Sequence, residues 1–85
     1  MYYFYILKND EGGLYFGYTS DLKKRIEQHN SSTTRTTAGK HWKVIYYEAY
    51  YSQSDAKHRE YSIKLRGNAY LQLKRRIKNC VAEAD

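Results

Sequence analysis

The sequence of 85 residues contains no proline and a single cysteine. That cysteine, Cys80, cannot support an internal disulfide framework or a cysteine-rich zinc site, and it is typical of a reducing compartment. No apolar run approaches the roughly 20 residues of a membrane-spanning helix, and the first residues lack the charged segment of a signal peptide. We therefore expect a cytoplasmic protein with neither a membrane partner nor a disulfide-linked partner.

The length suits one domain with one modest hydrophobic core. No proline-rich, repetitive or low-complexity segment divides the chain, and its five glycines stand in a few turn-like places. We expect a single domain over residues 1–80, followed by a frayed tail over residues 81–85.

The chain is basic, with 15 Lys and Arg residues against 9 Asp and Glu and a formal charge of +6. A positive surface attracts polyanions such as nucleic acid, although an anionic membrane surface or simple solubility would explain the same charge. The 11 tyrosines favour nucleic acid, because their rings can stack on bases and their hydroxyls can bind phosphates. Many of these rings also belong in a core or on a sheet surface.

Residue patterns predict an α+β fold, with a small three-stranded antiparallel sheet flanked by helices in the order ββαβαα. Strands are predicted where aromatic and β-branched residues cluster, and helices where apolar residues recur every three or four positions. The predicted strands cover residues 2–7, 14–18 and 42–50, and the predicted helices cover residues 21–30, 54–66 and 68 onward. Residues 44–47 are apolar enough to be central in the sheet.

Local signals predict where the helices begin and end. Thr19-Ser20 is the candidate N-cap of the first helix, Ser54 of the second and Asn68 of the third, and Gly67 should end the second. The Ser/Thr-rich residues 31–40 indicate a long exposed loop.

Period-two alternation predicts how the first two strands face each other. Phe4 falls on one face of the first strand and Tyr5 on the other. If the apolar faces of the hairpin coincide, the antiparallel register places Tyr15 on the Tyr5 face. On the following helix, Arg25 and His29 border the apolar stripe.

Common catalytic patterns are missing from the sequence. No Ser-His-Asp or Cys-His arrangement is evident, the His-x-x-x-His metal pattern is absent, and no two carboxylates stand four residues apart. Hydrolysis of a phosphodiester would still need an activated water and a cation near the phosphate. Any metal is therefore expected to be a hard, oxygen-preferring ion with very few protein ligands.

Five segments carry a combined pattern. They are Tyr3-Phe4-Tyr5, Tyr15-Phe16-Gly17, Thr19-x-Asp21-Leu22-x-x-Arg25-x-x-x-His29-Asn30, Trp42-Lys-Val-Ile-Tyr-Tyr-Glu48 and Arg59-Glu60-x-x-x-Lys64. In this order they resemble the GIY-YIG nucleases, which include the N-terminal nuclease domain of an excinuclease and several homing and restriction endonucleases. The first signature tripeptide is matched more loosely than the second, and the resemblance covers nearly the whole chain.

The resemblance implies roles for five side chains. Tyr5 would be the general base, or would orient the attacking water, and Tyr15 would bind that water or the scissile phosphate. Arg25 would stabilise charge on the phosphate, and His29 would assist the same network. Glu60 would be the sole direct protein ligand of Mg²⁺ or Mn²⁺. Because a free tyrosine has a pKa of about 10, such a base needs a nearby cation at neutral pH.

The implied activity is a divalent-metal-dependent endonuclease that hydrolyses DNA phosphodiester bonds, by nicking or with a preference for DNA structure, in DNA repair or processing. Specificity would come from DNA structure, a recruiting protein or a homodimer. Eight basic residues are expected to bind the DNA backbone. They are Lys40, Lys43, Lys64, Arg66, Lys74, Arg75, Arg76 and Lys78.

Each role has an alternative in ordinary structure. Tyr5 and Tyr15 could be sheet aromatics, and Arg25 and His29 could form a solvated helix edge. Glu60 could pair with a lysine of its own helix. The alternative functions are a noncatalytic nucleic-acid-binding module that retains the fold, an RNA-recognition-like sheet and a protein-interaction domain.

Three positions depart from the family pattern. Tyr3 replaces the leading glycine of the first tripeptide, Tyr18 replaces a lysine that often follows the second, and Gln72 replaces an asparagine that some members use.

Overall fold

The computed structural model describes residues 1–31 and 40–83 of the chain. Its strands are β1 (Tyr2–Asn9), β2 (Leu14–Thr19) and β3 (Trp42–Tyr50). Its helices are α1 (Leu22–Asn30), α2 (Gln53–Lys64), α3 (Asn68–Arg76) and the short α4 (Lys78–Glu83). The predicted α+β fold with the order ββαβαα is confirmed, and α4 follows it. Most of the predicted loop over residues 31–40 lies outside the described residues.

The three strands form an antiparallel sheet in the order β2-β1-β3, so β1 lies in the middle. The prediction that residues 44–47 form the central strand was wrong. β1 carries the run from Phe4 to Leu7, which is fully buried because both faces of a central strand are covered. On the edge strand β3, Tyr47 remains 54% exposed. A tyrosine can cover a sheet with its ring while its hydroxyl meets water, so an aromatic run does not require a central position.

The hairpin register agrees with the predicted alternation. The Cα partners include Tyr5 with Gly17, Ile6 with Phe16 and Leu7 with Tyr15. Asn9 closes the turn, because its side chain accepts hydrogen bonds from the backbone of Glu11 at 2.9 Å and of Gly13 at 2.8 Å. As predicted, Tyr5 and Tyr15 lie on the same face of the hairpin.

Each face of the sheet has its own apolar cluster. The face of Phe4 and Ile6, here called the back face, packs against α2 and α3; its buried residues are Phe4, Ile6, Phe16, Ile63, Leu73 and Ile77. The opposite face, here called the front face, packs against α1; its cluster contains Tyr5, Leu7 and Trp42 with Tyr15, Leu22, Ile26 and Val44. The two candidate catalytic tyrosines therefore belong to the front face.

Helix α1 begins after Asp21, whose side chain accepts a hydrogen bond from the Lys24 backbone at 3.1 Å. The predicted Thr19-Ser20 cap was wrong, because the Thr19 hydroxyl accepts a hydrogen bond from the Asp21 backbone and leaves Asp21 to cap the helix. The predicted stripe is confirmed, since His29 is fully buried and Arg25 is half-buried.

The predicted caps of α2 and α3 were also wrong. Ser52 caps α2 by accepting a hydrogen bond from the Asp55 backbone, so Ser54 lies inside the helix. Gly67 stands at the N-cap of α3 without a side-chain hydrogen bond, and Asn68 is the first helical residue. Several Ser and Asn residues near a helix start compete for the same role, and local sequence does not decide among them.

The turn after α2 depends on Arg66, which has a positive φ of 61°. That conformation is uncommon for a residue with a side chain. The Arg66 guanidinium lies 5.5 Å from the Phe16 ring centroid and 4.5 Å from that of Tyr70, and it donates to the Tyr70 hydroxyl at 2.6 Å. These contacts hold the turn in place.

The C-terminal residues continue the fold further than the predicted frayed tail. Val81 lies in α4, and its carbonyl accepts a hydrogen bond from the Lys8 ammonium at 2.7 Å. Residues 84 and 85 lie outside the described residues.

A carboxylate network ties β3 to α2. Glu48 accepts hydrogen bonds from Arg59 at 2.8 and 3.0 Å, from the Tyr46 hydroxyl at 2.7 Å and from the Tyr50 hydroxyl. Burial acts to raise the pKa of the Glu48 carboxyl, but these hydrogen bonds hold that pKa below its usual value. Because successive residues of an α-helix point about 100° apart, the bond to Arg59 also fixes the direction of its neighbour Glu60.

Candidate active site

The Tyr5 side chain is fully buried, and its hydroxyl contacts two basic side chains of α1. The Nε–H of Arg25 donates to the Tyr5 hydroxyl at 3.3 Å, and Nε2 of His29 lies 3.0 Å from the same oxygen. Arg25 and His29 are four residues apart and therefore share one side of α1. The helix thus brings a guanidinium and an imidazole to a single phenol.

Gly17 makes room for the Tyr5 ring. A Cβ added at Gly17 would overlap Cζ and the hydroxyl oxygen of Tyr5, far inside van der Waals contact. The Tyr5 phenol therefore lies across β2 at a position that only a residue without a side chain leaves open.

Tyr15 lies beside the pair formed by Tyr5 and His29. Its ring centroid is 4.7 Å from that of His29 and 6.3 Å from that of Tyr5. The Lys64 ammonium, on α2, lies 5.9 Å from the Tyr15 ring centroid. Residues of β1, β2, α1 and α2 thus meet at this place on the front face.

Burial controls the protonation of the site. Burial raises the pKa of Tyr5 to about 12, and the hydrogen bond and charge of Arg25 offset only part of that effect. Burial, with the Arg25 charge, lowers the pKa of His29 below its usual value. At neutral pH the phenol is protonated and the imidazole is neutral. Since Arg25 already donates to the Tyr5 oxygen, we assign the phenol proton as donated to Nε2 of His29.

Arg25 keeps its charge in this environment. Burial acts to lower the pKa of the guanidinium, but its hydrogen bonds and electrostatic interactions with Tyr5 and Tyr15 together outweigh that effect and raise the pKa. Its Nη1 also donates to the Gln28 side chain at 3.1 Å. A fixed positive charge therefore lies next to the Tyr5 hydroxyl.

Glu60 of α2 lies within electrostatic reach of this phenol. Its charge is one of the contributions that raise the pKa of Tyr5. Its Oε2 also lies 3.2 Å from the Lys64 ammonium, four residues along the helix. The ion pair between Glu60 and Lys64, which was considered as the alternative role of Glu60, is thus present. It lies beside Tyr15 at the candidate site.

A metal held mainly by protein side chains does not fit this arrangement. No group of three His, Cys, Asp or Glu side chains lies together among residues 1–31 and 40–83. The oxygen donors near one another are the Glu60 carboxylate and the phenols of Tyr5 and Tyr15. Hard ions such as Mg²⁺ accept one carboxylate and complete their shell with water and phosphate oxygens. The residues fit an ion of that kind, with Glu60 as its carboxylate.

Five of the eight predicted DNA-binding cations lie away from the front face. Lys74, Arg75 and Arg76 belong to α3, and Lys78 begins α4; their neighbours Leu73 and Ile77 pack on the back face. Lys43 is the Cα partner of Lys8, and both point to the back face by alternation.

The other three predicted cations have separate surroundings. Lys40 pairs with Glu11 at the hairpin turn, and Arg66 covers the rings of Phe16 and Tyr70. Lys64 lies at the candidate site. The structure therefore brings together Tyr5, Tyr15, Arg25, His29, Glu60 and Lys64, but not the remaining basic residues.

Lys57 was not among the predicted DNA-binding residues. Its ammonium lies 5.6 Å from the ring centroid of Tyr18, which is the Cα partner of Phe4. Lys57 precedes Glu60 by three residues and Lys64 by seven, so helical periodicity could have placed all three on one face of α2. The role of Gly17 had no comparable signal, because it depends on where the Tyr5 ring lies.

A sequence model described as the GIY-YIG catalytic domain matches residues 1–76 of the chain. The chain belongs to the GIY-YIG family. That family is one of endonucleases, and all the residues gathered at the site lie within the matched region.

Several bacterial UPF0213 proteins are similar to this GIY-YIG chain. The one from Clostridium perfringens is 42% identical over 76 residues, which cover 86% of this chain and 82% of that protein. The one from Bacillus pumilus is 40% identical over 65 residues, or 74% of this chain and 66% of that protein. One from Staphylococcus aureus is 39% identical over 69 residues, or 74% of this chain and 79% of that protein. No solved structure matches the chain significantly.

In the described part of this GIY-YIG chain, no helix is both long enough and apolar enough to cross a membrane.

Proposed function

We propose that this GIY-YIG chain is a divalent-metal-dependent endonuclease that nicks DNA by hydrolysing phosphodiester bonds, in DNA repair or processing. The observation that carries the proposal is the buried Tyr5 hydroxyl, which is held between Arg25 and His29. One hydrogen-bond partner would be enough to satisfy a buried hydroxyl. A guanidinium and an imidazole together can also stabilise negative charge on the phenol oxygen and accept its proton.

In this mechanism Tyr5 orients the attacking water and takes its proton. As that proton reaches the Tyr5 oxygen, the phenol proton moves to Nε2 of His29, which is 3.0 Å away. Burial keeps the imidazole neutral and able to accept. Positioned proton transfer of this type contributes about 10²- to 10⁴-fold to a rate.

Arg25 supplies fixed positive charge throughout the reaction. Its Nε–H stays on the Tyr5 oxygen and stabilises negative charge there, and its Nη groups can bind a nonbridging phosphate oxygen. Tyr15 and Lys64 lie beside this position and can bind the water or the phosphate.

Glu60 is the residue that would hold the ion. When bound, Mg²⁺ or Mn²⁺ supplies charge that stabilises the pentavalent phosphate and the departing 3′ oxygen. Lys64 pairs with Glu60 in the described structure. The Lys64 ammonium would therefore lie beside the ion, where it can contact the phosphate backbone.

The proposal is tested by incubating the protein with supercoiled, branched and flap DNA, with Mg²⁺, with Mn²⁺ and with EDTA. We expect nicking that depends on the metal and falls at least ~100-fold in Arg25→Ala and Glu60→Gln. Glu27→Gln is the matched control, because Glu27 is an exposed carboxylate of α1 away from the front cluster. Nicking that survives both site substitutions would contradict the mechanism. Binding of DNA without any cleavage, with or without metal, would favour the noncatalytic module.

A further inference from the structure

Within the described residues, the front face of the sheet is covered over only part of its length. Helix α1 packs where Tyr5, Leu7 and Trp42 lie. Beyond this cluster the same face carries Tyr47, the Cα partner of Tyr5, and Tyr3, two residues before Tyr5 on β1. Two aromatic rings are therefore direct neighbours of the candidate active site.

These two rings form an aromatic pair in which Tyr3 is half-buried and Tyr47 is exposed. Their centroids are 5.8 Å apart with an interplanar angle of 69°. Tyr47 is 54% exposed, and Tyr51, just after β3, is 92% exposed. Neither Tyr3 nor Tyr47 belongs to the front or the back cluster. The pair therefore offers ring surface to solvent instead of filling a core.

The hydroxyls of this pair also differ from those that hold the fold together. Tyr46 and Tyr50 bind Glu48 through their hydroxyls. Within residues 1–31 and 40–83, by contrast, neither Tyr3 nor Tyr47 makes a side-chain hydrogen bond. A large aromatic surface without a polar anchor suits the stacking of another flat ring.

A polar crevice lies between the end of β2 and helix α1. Its lining residues are Thr19, Ser20, Asp21, Lys24, Arg25 and Gln28. Thr19 is the Cα partner of Tyr3, and Arg25 donates to Tyr5. The crevice has two cations, Lys24 and Arg25, and one carboxylate, Asp21, whose side chain already caps α1. Because Thr19 is paired with Tyr3 and Arg25 is bonded to Tyr5, a phosphate bound in this crevice would lie near both the aromatic pair and the site.

We propose that Tyr3 and Tyr47 stack on unpaired bases of the strand whose phosphate lies at Tyr5. The inference rests on the proposed function and adds its substrate class: DNA that is single-stranded beside the cleaved bond. Bases inside a duplex are already stacked on each other, so only unpaired bases can offer a free face to these rings. Aromatic platforms flanked by cations bind single strands in this way with little sequence preference.

The test is the affinity of the full chain for labelled DNA, measured by fluorescence anisotropy in EDTA so that no cleavage occurs. The probes are a 20-nucleotide single strand, the same strand with abasic sites and the corresponding duplex. We expect Tyr47→Ala to weaken binding of the intact single strand by about 5- to 150-fold, the range that stacking of one base supplies. Binding of the abasic strand and of the duplex should not change.

Two further variants separate stacking from other effects. Tyr47→Phe keeps the ring and should bind the single strand as the wild type does. Tyr61→Ala removes a tyrosine of α2 that is 62% exposed and should change nothing. Unchanged binding of the single strand by Tyr47→Ala would overturn the inference, and so would an equal loss on the abasic strand or the duplex. Capture of a protein partner by this face without DNA discrimination would overturn it as well.

The outcome is distinguishable from failure of the proposed function. A protein that nicks DNA but binds single strands independently of Tyr47 retains the proposed activity and loses only this substrate class. A protein that never cleaves but shows the Tyr47-dependent preference is a single-strand-binding module, which contradicts the proposed activity and keeps the stacking surface.

Discussion

At the scale of single residues, the Tyr5 hydroxyl owes its position to an absent side chain as much as to its partners. Gly17 leaves open the space that the phenol fills, while Arg25 and His29 hold the oxygen from the other side. Sequence alternation predicted that Tyr5 and Tyr15 share a face. It could not predict the bond between Tyr5 and His29, because that bond joins residues 24 positions apart.

Gly17→Ala should displace the Tyr5 hydroxyl from Arg25 and His29. The added Cβ meets the stiff phenol ring, so relief requires movement of the ring or the strand. We expect a loss of about 1–3 kcal/mol in the free energy of unfolding from overpacking. We also expect nicking to fall at least ~100-fold, since misplacement of a catalytic group by about 1 Å has that effect. Urea denaturation and plasmid nicking measure the two quantities, and an alanine variant with wild-type nicking would contradict this role.

Alkaline titration should separate Tyr5 from most other tyrosines. The pKa values of Tyr5, Tyr46 and Tyr50 are raised to about 12 in the folded protein from an ordinary value of 10.0. These phenols therefore contribute stability that is complete below pH ~10 and is lost as the pH rises through ~12. Absorbance at 295 nm should show a late-titrating class that is smaller in Tyr5→Phe. If that class keeps its full amplitude in the variant, Tyr5 does not have the raised pKa.

At the scale of elements, α2 directs Glu60 and Lys64 toward Tyr5 and Tyr15, while its residue Arg59 is bonded to Glu48 on β3. The existence and order of the helices followed from periodicity. The N-caps did not follow from periodicity, since Asp21 and Ser52 cap α1 and α2 although neighbouring Ser and Thr residues are equally suitable. The central position of β1 was not predicted either, because it depends on which strand has helices packed on both of its faces.

Glu48→Gln should weaken the attachment of α2 to β3 without changing a residue of the candidate site. It removes a partly buried, charge-assisted pair with Arg59, for which we expect a loss of about 1–3 kcal/mol at pH 7. The Glu48 pKa is held below 4.5 in the folded state. Its contribution is therefore present above pH ~4.5 and is lost as the pH falls through the lowered value. Urea denaturation at pH 7, 5 and 3 should show a shallower acid decline in the variant. Equal pH dependence in both proteins would contradict this assignment.

At the scale of the whole molecule, the positive charge of +6 is divided between two faces. Composition indicated nucleic acid as a partner but could not tell which lysines share the side of Tyr5. The helix α3 is basic, yet its apolar residues Leu73 and Ile77 attach it to the back face. Charge clusters in sequence thus identify a helix as basic, and the packing of its apolar side decides where that charge points.

Two matched pairs of substitutions test this division. Lys24 lies beside Arg25 and Lys64 beside Tyr15. Lys24→Gln with Lys64→Gln should therefore weaken DNA binding and reduce the salt dependence of the binding constant by about 0.9 for each phosphate that is no longer bound. Lys74→Gln with Lys78→Gln removes the same charge from the back face and should leave both quantities within about 2-fold. The affinities are measured between 50 and 200 mM salt. Equal effects of the two pairs would mean that DNA binds to both faces.

The most direct measurement for the account as a whole is the rate of nicking of supercoiled DNA in Mn²⁺ by Tyr5→Phe beside Tyr61→Phe. Both variants lose one hydroxyl, but only Tyr5 is bonded to Arg25 and His29. We predict that Tyr61→Phe nicks at the wild-type rate and that Tyr5→Phe is slower by about 10²-fold or more, the contribution of a positioned proton acceptor. A Tyr5→Phe variant that nicks as fast as the wild type would contradict the central role of this phenol.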